Sequence, residues 1–103
     1  MVIVALEPFD KFLFLGFLPH KKGRETLIKK IIESDITVVF FESVHRIEKA
    51  LTKLKELGLD RELVVARELT KQFESVYRGS VDEILEQLKD HVKGEFVVIV
   101  PPK

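Results

Sequence analysis

The sequence predicts an α/β domain: one mixed-sheet layer of about five strands with three helices, ordered β-α-β-α-β-β-α-β. Three observations predict it. Short apolar or β-branched runs recur along the 103-residue chain, as strands require. Between most of them, apolar residues fall at the i, i+3, i+4 spacing of an amphipathic helix. Two runs follow each other with no helical stretch between, so a hairpin makes the sheet mixed.

The elements follow in order. FLFLGFL at 12–18 is a continuous apolar run stopped by Pro19, a strand. PHKKGRE at 19–25 is a basic loop. Leu27, Ile28, Ile31 and Ile32 then share one face, opposite Lys29, Lys30 and Glu33, which predicts a helix over 24–34. ITVVFF at 36–41 does not alternate, so it is expected to bury both faces, as in the middle of a parallel sheet.

Ile47, Ala50, Leu51, Leu54 and Leu57 form the next helical stripe. Gly58 stands where a C′ residue ends such a helix, with Leu59 packing back on Leu54 in a Schellman motif. LVVAR at 63–67 and FESVYRG at 73–79 are strands joined through ELTKQ at 68–72. Ser80 and Glu83 have the spacing of a capping box. They open a helix whose apolar face is Val81, Ile84, Leu85, Leu88 and Val92. Gly94 precedes EFVVIV at 95–100, a last strand stopped by Pro101 and Pro102.

Bulk composition excludes several functions. Lys plus Arg and Asp plus Glu are both 17. A zero balance exerts no global pull on nucleic acid or anionic membrane, so such a role needs a local patch. There is no cysteine, which removes disulfides, thiolate zinc sites and cysteine nucleophiles. No apolar run approaches the ~20 residues of a membrane helix. The N-terminal stretch lacks a basic leader and is interrupted by Glu7, Asp10 and Lys11.

Three polar stretches are candidates for chemistry. The first, Glu42-Ser43-Val44-His45-Arg46, lies where a strand ends and a helix starts, the place where open α/β sheets bind ligands. Ser43 alone is expected to cap the helix, but a cap has no use for the acid, imidazole and guanidinium together. The second, Arg67 to Glu74, opens the hairpin without the Gly, Asn or Asp of a tight turn. Its polar density fits either surface ion pairs, each worth little, or a ligand loop. The third, Pro19 to Arg24, places a basic run at a helix N-terminus, which suits an anion such as a nucleic-acid phosphate. The alternative is a solvated basic loop. There is no G-x-G-x-x-G, P-loop or H-E-x-x-H. His20, His45 and His91 have no metal-ligand spacing.

Several segments taken together resemble one family. F-L-F-L-G-F-L-P-x-K-K-G at 12–23, F-F-E-S-x-H-R at 40–46, A-R-E-L-T-K-x-F-E at 66–74, R-G-S at 78–80 and G-E-F-V-V-I-V at 94–100 occur in order. They resemble the C-terminal half of the ribosomal RNA small-subunit methyltransferase I family, within the tetrapyrrole methylase superfamily. The resemblance covers roughly residues 10–100.

It implies an S-adenosylmethionine-dependent enzyme, cytoplasmic and dimeric, that methylates a ribose 2′-hydroxyl of a cytidine in small-subunit ribosomal RNA. It implies two α/β domains with the cofactor between them. Residues 11–103 would be the C-terminal domain, residues 1–10 a remnant of the linking segment, and the N-terminal cofactor domain would be missing, leaving this piece inactive alone. Cofactor contacts carried over by topology are Val44, His45, Glu68, Leu69, Ile99, Val100 and Pro101. Residues for the cleft or RNA are Lys21, Lys22, Arg24, Glu42, Ser43, Arg46, Arg67, Thr70, Lys71 and Glu74. His45 is the candidate for a general base.

Two departures stand out. Val44 occupies a position usually held by proline, and the glycine-rich G-x-G-D-P-G-like cofactor segment is absent from these residues. Two other readings remain open: a methyltransferase domain for a tetrapyrrole such as a corrin precursor, and a non-catalytic α/β module for dimerisation or RNA tethering.

Overall fold

The computed structural model describes residues 12–69, 72–89 and 93–103. The elements are β1 (Phe12–Phe17), α1 (Arg24–Glu33), β2 (Thr37–Ser43), α2 (Ile47–Glu56), β3 (Leu63–Leu69), β4 (Gln72–Gly79), α3 (Val81–Leu88) and β5 (Glu95–Val100). The expected order is reproduced. Val92, expected in the third helix, lies outside the described residues.

One five-stranded sheet has the order β1-β2-β5-β3-β4. β1 and β2 are parallel. β5 is antiparallel to both β2 and β3, and β3 and β4 form an antiparallel hairpin. β2 therefore does not lie within a parallel sheet, as its lack of alternation suggested. β2 is nonetheless buried on both faces, because Val38 and Phe40 join the helix-side cluster and Val39 the cluster on the other face. β5 slots between β2 and β3, and Phe96 to Val100 are all buried.

Strand alternation sorts the side chains into two layers. Val38, Phe40, Val65, Phe96, Val98 and Val100 face the helices and pack with residues such as Ile28, Ile31, Leu51, Leu54 and Ile84. Burying a side chain like Phe40 contributes roughly 1.5–3 kcal/mol. Val39, Val64, Ala66, Val97 and Ile99 form a second cluster on the other face, with Phe41 against it. Phe14 and Phe17 set their rings edge-on to Phe41, with centroids 5.0 and 5.5 Å apart. All buried helix residues belong to the first cluster. Among the described residues, then, every helix lies on one face.

Local chemistry explains the ends. Ser80 accepts from Glu83 N at 3.2 Å while Glu83 Oε1 accepts from Ser80 N at 2.9 Å, the capping box its spacing predicts. Leu59 N donates to Leu54 O at 2.9 Å and Gly58 N to Lys55 O at 3.1 Å. That is the Schellman pattern, with Gly58 at φ 110°.

The cap expected at Ser43 is not formed. β2 runs on through Glu42 and Ser43, which pair with Phe96 and Glu95 of β5. The N-cap of α2 is Arg46, without a side-chain hydrogen bond. Ser43 instead offers its carbonyl to Arg46 N at 3.1 Å, closing the turn between strand and helix. Pairing with β5 extends the strand two residues beyond the apolar run, and this takes Ser43 away from the cap position.

Candidate functional site at one end of the sheet

Strand direction decides which candidates meet. β1, β2 and β3 all run the same way, since β5 is antiparallel to both β2 and β3. Their carboxyl ends therefore share one end of the sheet. Pro19 to Arg24 follow β1, Val44 to Arg46 follow β2, and Arg67 to Leu69 close β3. Glu95 starts β5 at the same end, opposite both Ser43 and Glu68. At ~4.8 Å per strand, the ends of β1 and β3 lie about 14 Å apart. Three stretches picked separately from the sequence thus border one region.

Within it, His20, Lys21 and Lys22 are exposed. Among the described residues no carboxylate pairs with Lys21 or Lys22. Arg24 is committed elsewhere: its Nη1 donates to Pro19 O at 3.1 Å and its Nη2 lies 3.5 Å from Glu42 Oε2. Glu42 is only 2% exposed, and its Oε1 accepts from Ser43 N at 3.3 Å. A carboxylate this deep needs a compensating charge, and Arg24 supplies it.

His45 is exposed on the turn after β2, Arg46 is half-buried, and Val44 packs against the helix-side core. At the end of β3, Arg67 Nε and Glu68 Oε1 are buried without a hydrogen-bond partner. Such atoms are uncommon and need explaining. Arg67 shares the helix-side face with Phe96 and Glu42, while Glu68, Glu95 and Ser43 share the other. Thr70 and Lys71, named from the sequence, lie outside the described residues. So does the side chain of Glu74.

Ile99, Val100 and Pro101 are not brought to this end. β5 is antiparallel, so counted from Glu95 they lie about 14, 17 and 20 Å away along the strand. Ile99 pairs with Val39 and Val64 mid-sheet, and Ile99 and Val100 are buried. Pro101 O accepts from Arg61 Nε at 2.9 Å, while Arg61 Nη2 donates to Ile32 O at 3.0 Å. That end is fastened by main-chain contacts. A recess between the α2–β3 loop and the start of α3, lined by residues such as Arg61 and Asp82, also sits there, away from the candidate site.

Sequence reasoning missed the burial of Glu42 and its partnership with Arg24. The signal was present: Glu42 continues the parity of Val38 and Phe40, so it points into the helix-side layer. Among the described residues there is no cluster of His, Asp or Glu suited to a metal ion. No helix among them is long and apolar enough to cross a membrane.

A five-stranded mixed sheet with helices on one face and a polar rim at its strand ends suits a methylase domain without being peculiar to one, and the comparisons supply the class. The family model for Tetrapyrrole (Corrin/Porphyrin) Methylases matches residues 4–85, and the chain belongs to that family. It is similar to proteins named "Ribosomal RNA small subunit methyltransferase I". The Thermotoga maritima relative is 38% identical over 103 residues, covering 99% of this chain and 46% of the relative. That of Coprothermobacter proteolyticus is 43% identical over 94 residues, 90% of this chain and 42% of the relative. That of Escherichia coli O157:H7 is 42% identical over 98 residues, 90% of this chain and 34% of the relative. The chain therefore spans less than half the length of these relatives.

Proposed function

We propose that this domain serves an S-adenosylmethionine-dependent methyltransferase acting on small-subunit ribosomal RNA, with a cytidine 2′-hydroxyl as acceptor. The observation that carries the reading is the meeting of the Pro19–Arg24, Glu42–Arg46 and Arg67–Leu69 stretches at one sheet end. Among the described residues, a lysine pair without a carboxylate partner stands at one border and orphaned polar atoms at the other. The relatives' names favour RNA over a tetrapyrrole, as does the basic loop.

The cofactor fits this end in part. Glu68 Oε1, buried and without a partner, is the kind of acceptor a ribose hydroxyl of S-adenosylmethionine would satisfy. Val44, His45 and Leu69 border the same region, and these four are the proposed contacts. Ile99, Val100 and Pro101, about 14–20 Å away along β5, have no part in this grip. Bound S-adenosylmethionine supplies an electrophilic sulfonium methyl. The domain's residues align the RNA: Lys21 and Lys22 attract phosphate, and the loops fix where the ribose sits, so that hydroxyl and methyl come into line. His45, exposed at the rim, is the proposed acceptor of the hydroxyl proton. The rest of the cofactor grip falls to the length of the relatives that this chain does not span, and the domain alone does not turn over. We place the enzyme in the cytoplasm as a homodimer.

The test is methyl incorporation into 30S subunits from labelled S-adenosylmethionine. It uses a full-length relative carrying alanine at the positions of Lys21 and Lys22. The reading expects RNA methylation by the parent protein and a raised KM for subunits in the variant. Methylation of a corrin precursor instead of RNA would refute it. Calorimetry of the 103-residue chain with S-adenosylmethionine should give little or no heat.

A further inference from the structure

We propose that Arg24 and Glu42 are a positioning pair that fixes the basic loop, and that Arg24 makes no phosphate contact itself. The inference rests on the RNA reading above and assigns different work to three cations of one loop.

The loop is short and held at both ends. Leu18 is buried before it, and α1 begins at Arg24 directly after Gly23, which sits at φ 83°. Arg24 N donates to Lys21 O at 3.2 Å, closing the turn. The Arg24 guanidinium then bridges the loop's first carbonyl, Pro19 O, and the buried end of β2 at Glu42. One side chain thereby ties the start of the loop to the neighbouring strand. A lysine has no planar fork and cannot make both contacts in the same way.

Charge accounting points the same way. Arg24 is 15% exposed and Glu42 2%. Removing Arg24 from this pair would strand a buried carboxylate, which is strongly unfavourable. Arg24 therefore stays with Glu42 when RNA arrives, and the exposed Lys21 and Lys22 carry the loop's attraction. Without the pair, these like charges repel one another and the loop loses its fixed place beside the β2 turn.

The experiment uses the full 103-residue chain and single-stranded oligouridylate as the RNA probe, with binding followed against salt. Each phosphate contact on a single strand adds about 0.7 to the slope of log Kobs against log salt. A positioning role predicts that Arg24→Gln lowers the slope by about 1.4, as two lysine contacts are lost together, and has no further effect in a Lys21→Ala/Lys22→Ala background. A direct contact predicts about 0.7 in both backgrounds and would overturn the proposal. Glu42→Gln is the sharper probe. Removing a negative charge beside a basic loop should strengthen RNA binding by charge alone, whereas a positioning role weakens it. Tighter binding by Glu42→Gln would also overturn the proposal.

A second measurement needs no RNA. Amide hydrogen exchange at position 24, whose N–H closes the loop turn on Lys21 O, should quicken in Arg24→Lys, a variant that keeps the charge, and stay unchanged in Lys21→Ala. Unaltered exchange in Arg24→Lys sinks the pair as a positioning device. If oligouridylate binding ignores Lys21 and Lys22, the RNA reading has failed, and the exchange result alone decides the pair.

Discussion

Glu68 and Glu95 stand directly opposite each other in the β3–β5 ladder, on the face away from the helices. Like charges placed so cost roughly 0.2–1 kcal/mol, and Glu68 Oε1 has no hydrogen-bond partner to offset this. Glu95→Lys should therefore stabilise the domain by about 0.5 kcal/mol in urea unfolding. High salt should reduce the gain only in part, because Glu95 is exposed while Glu68 Oε1 is buried. A neutral or destabilising Glu95→Lys would show that the two facing carboxylates do not repel one another in the fold. A stabilising effect fits a site arranged for ligand rather than for stability.

Ser80 and Ser43 look alike in the sequence, each just before a helical stripe, yet only Ser80 caps. Ser80→Ala should cost about 1 kcal/mol. Ser43→Ala should stay within about 0.5 kcal/mol, since no capping bond is lost. Thermal or urea unfolding of the two variants checks this. Equal losses would show that Ser43 does structural work that its turn geometry does not reveal.

This contrast marks what was legible. Motifs closed within six residues, the Ser80–Glu83 box and the Leu54–Leu59 Schellman end, could be read directly because spacing alone determines their hydrogen bonds. Element order was legible from periodicity. Strand order was not: nothing in EFVVIV says that it enters between β2 and β3. The site inherits this limit. Arg24 and Glu42 are 18 residues apart, and their pairing depends on β1 lying parallel to β2. Likewise Ile99 and Pro101 look like neighbours of Glu68 until the direction of β5 is known.

Gly94 and Gly58 both adopt positive φ, 102° and 110°, but differ in room. A Cβ on Gly58 meets nothing within 4 Å, so Gly58→Ala costs only backbone strain, about 1 kcal/mol. A Cβ on Gly94 would sit 2.7 Å from Glu68 O and 3.3 Å from Arg67 Cγ. Gly94→Ala adds overpacking to strain and should cost at least about 2 kcal/mol. It should also shift amide resonances of Arg67 and Glu68, which Gly58→Ala leaves in place. Equal costs and silent resonances would mean that β5 relaxes away from β3 without penalty.

The two ends of the sheet should separate stability from RNA binding. At the far end, Arg61 donates to Pro101 O and Ile32 O, joining the C-terminus of β5 to the end of α1. Arg61→Ala removes two charge-assisted hydrogen bonds and leaves two carbonyls to find water. At roughly 1.5–3 kcal/mol for a hydrogen bond to a charged group, and with partial rescue by solvent at this half-buried site, the loss should be about 2 kcal/mol. Binding of oligouridylate at a temperature where the variant is folded should be unchanged, because the change lies about 20 Å from the polar end. Lys21→Ala/Lys22→Ala should do the reverse. Both lysines are exposed, so stability stays within about 0.5 kcal/mol, while the salt slope of RNA binding falls by about 1.4. Urea unfolding and salt-dependent binding on the same variants test both halves. If Arg61→Ala weakened RNA binding as much as the lysine pair does, the candidate site would have to extend to the Pro101 end, and its assignment to one end of the sheet would be wrong.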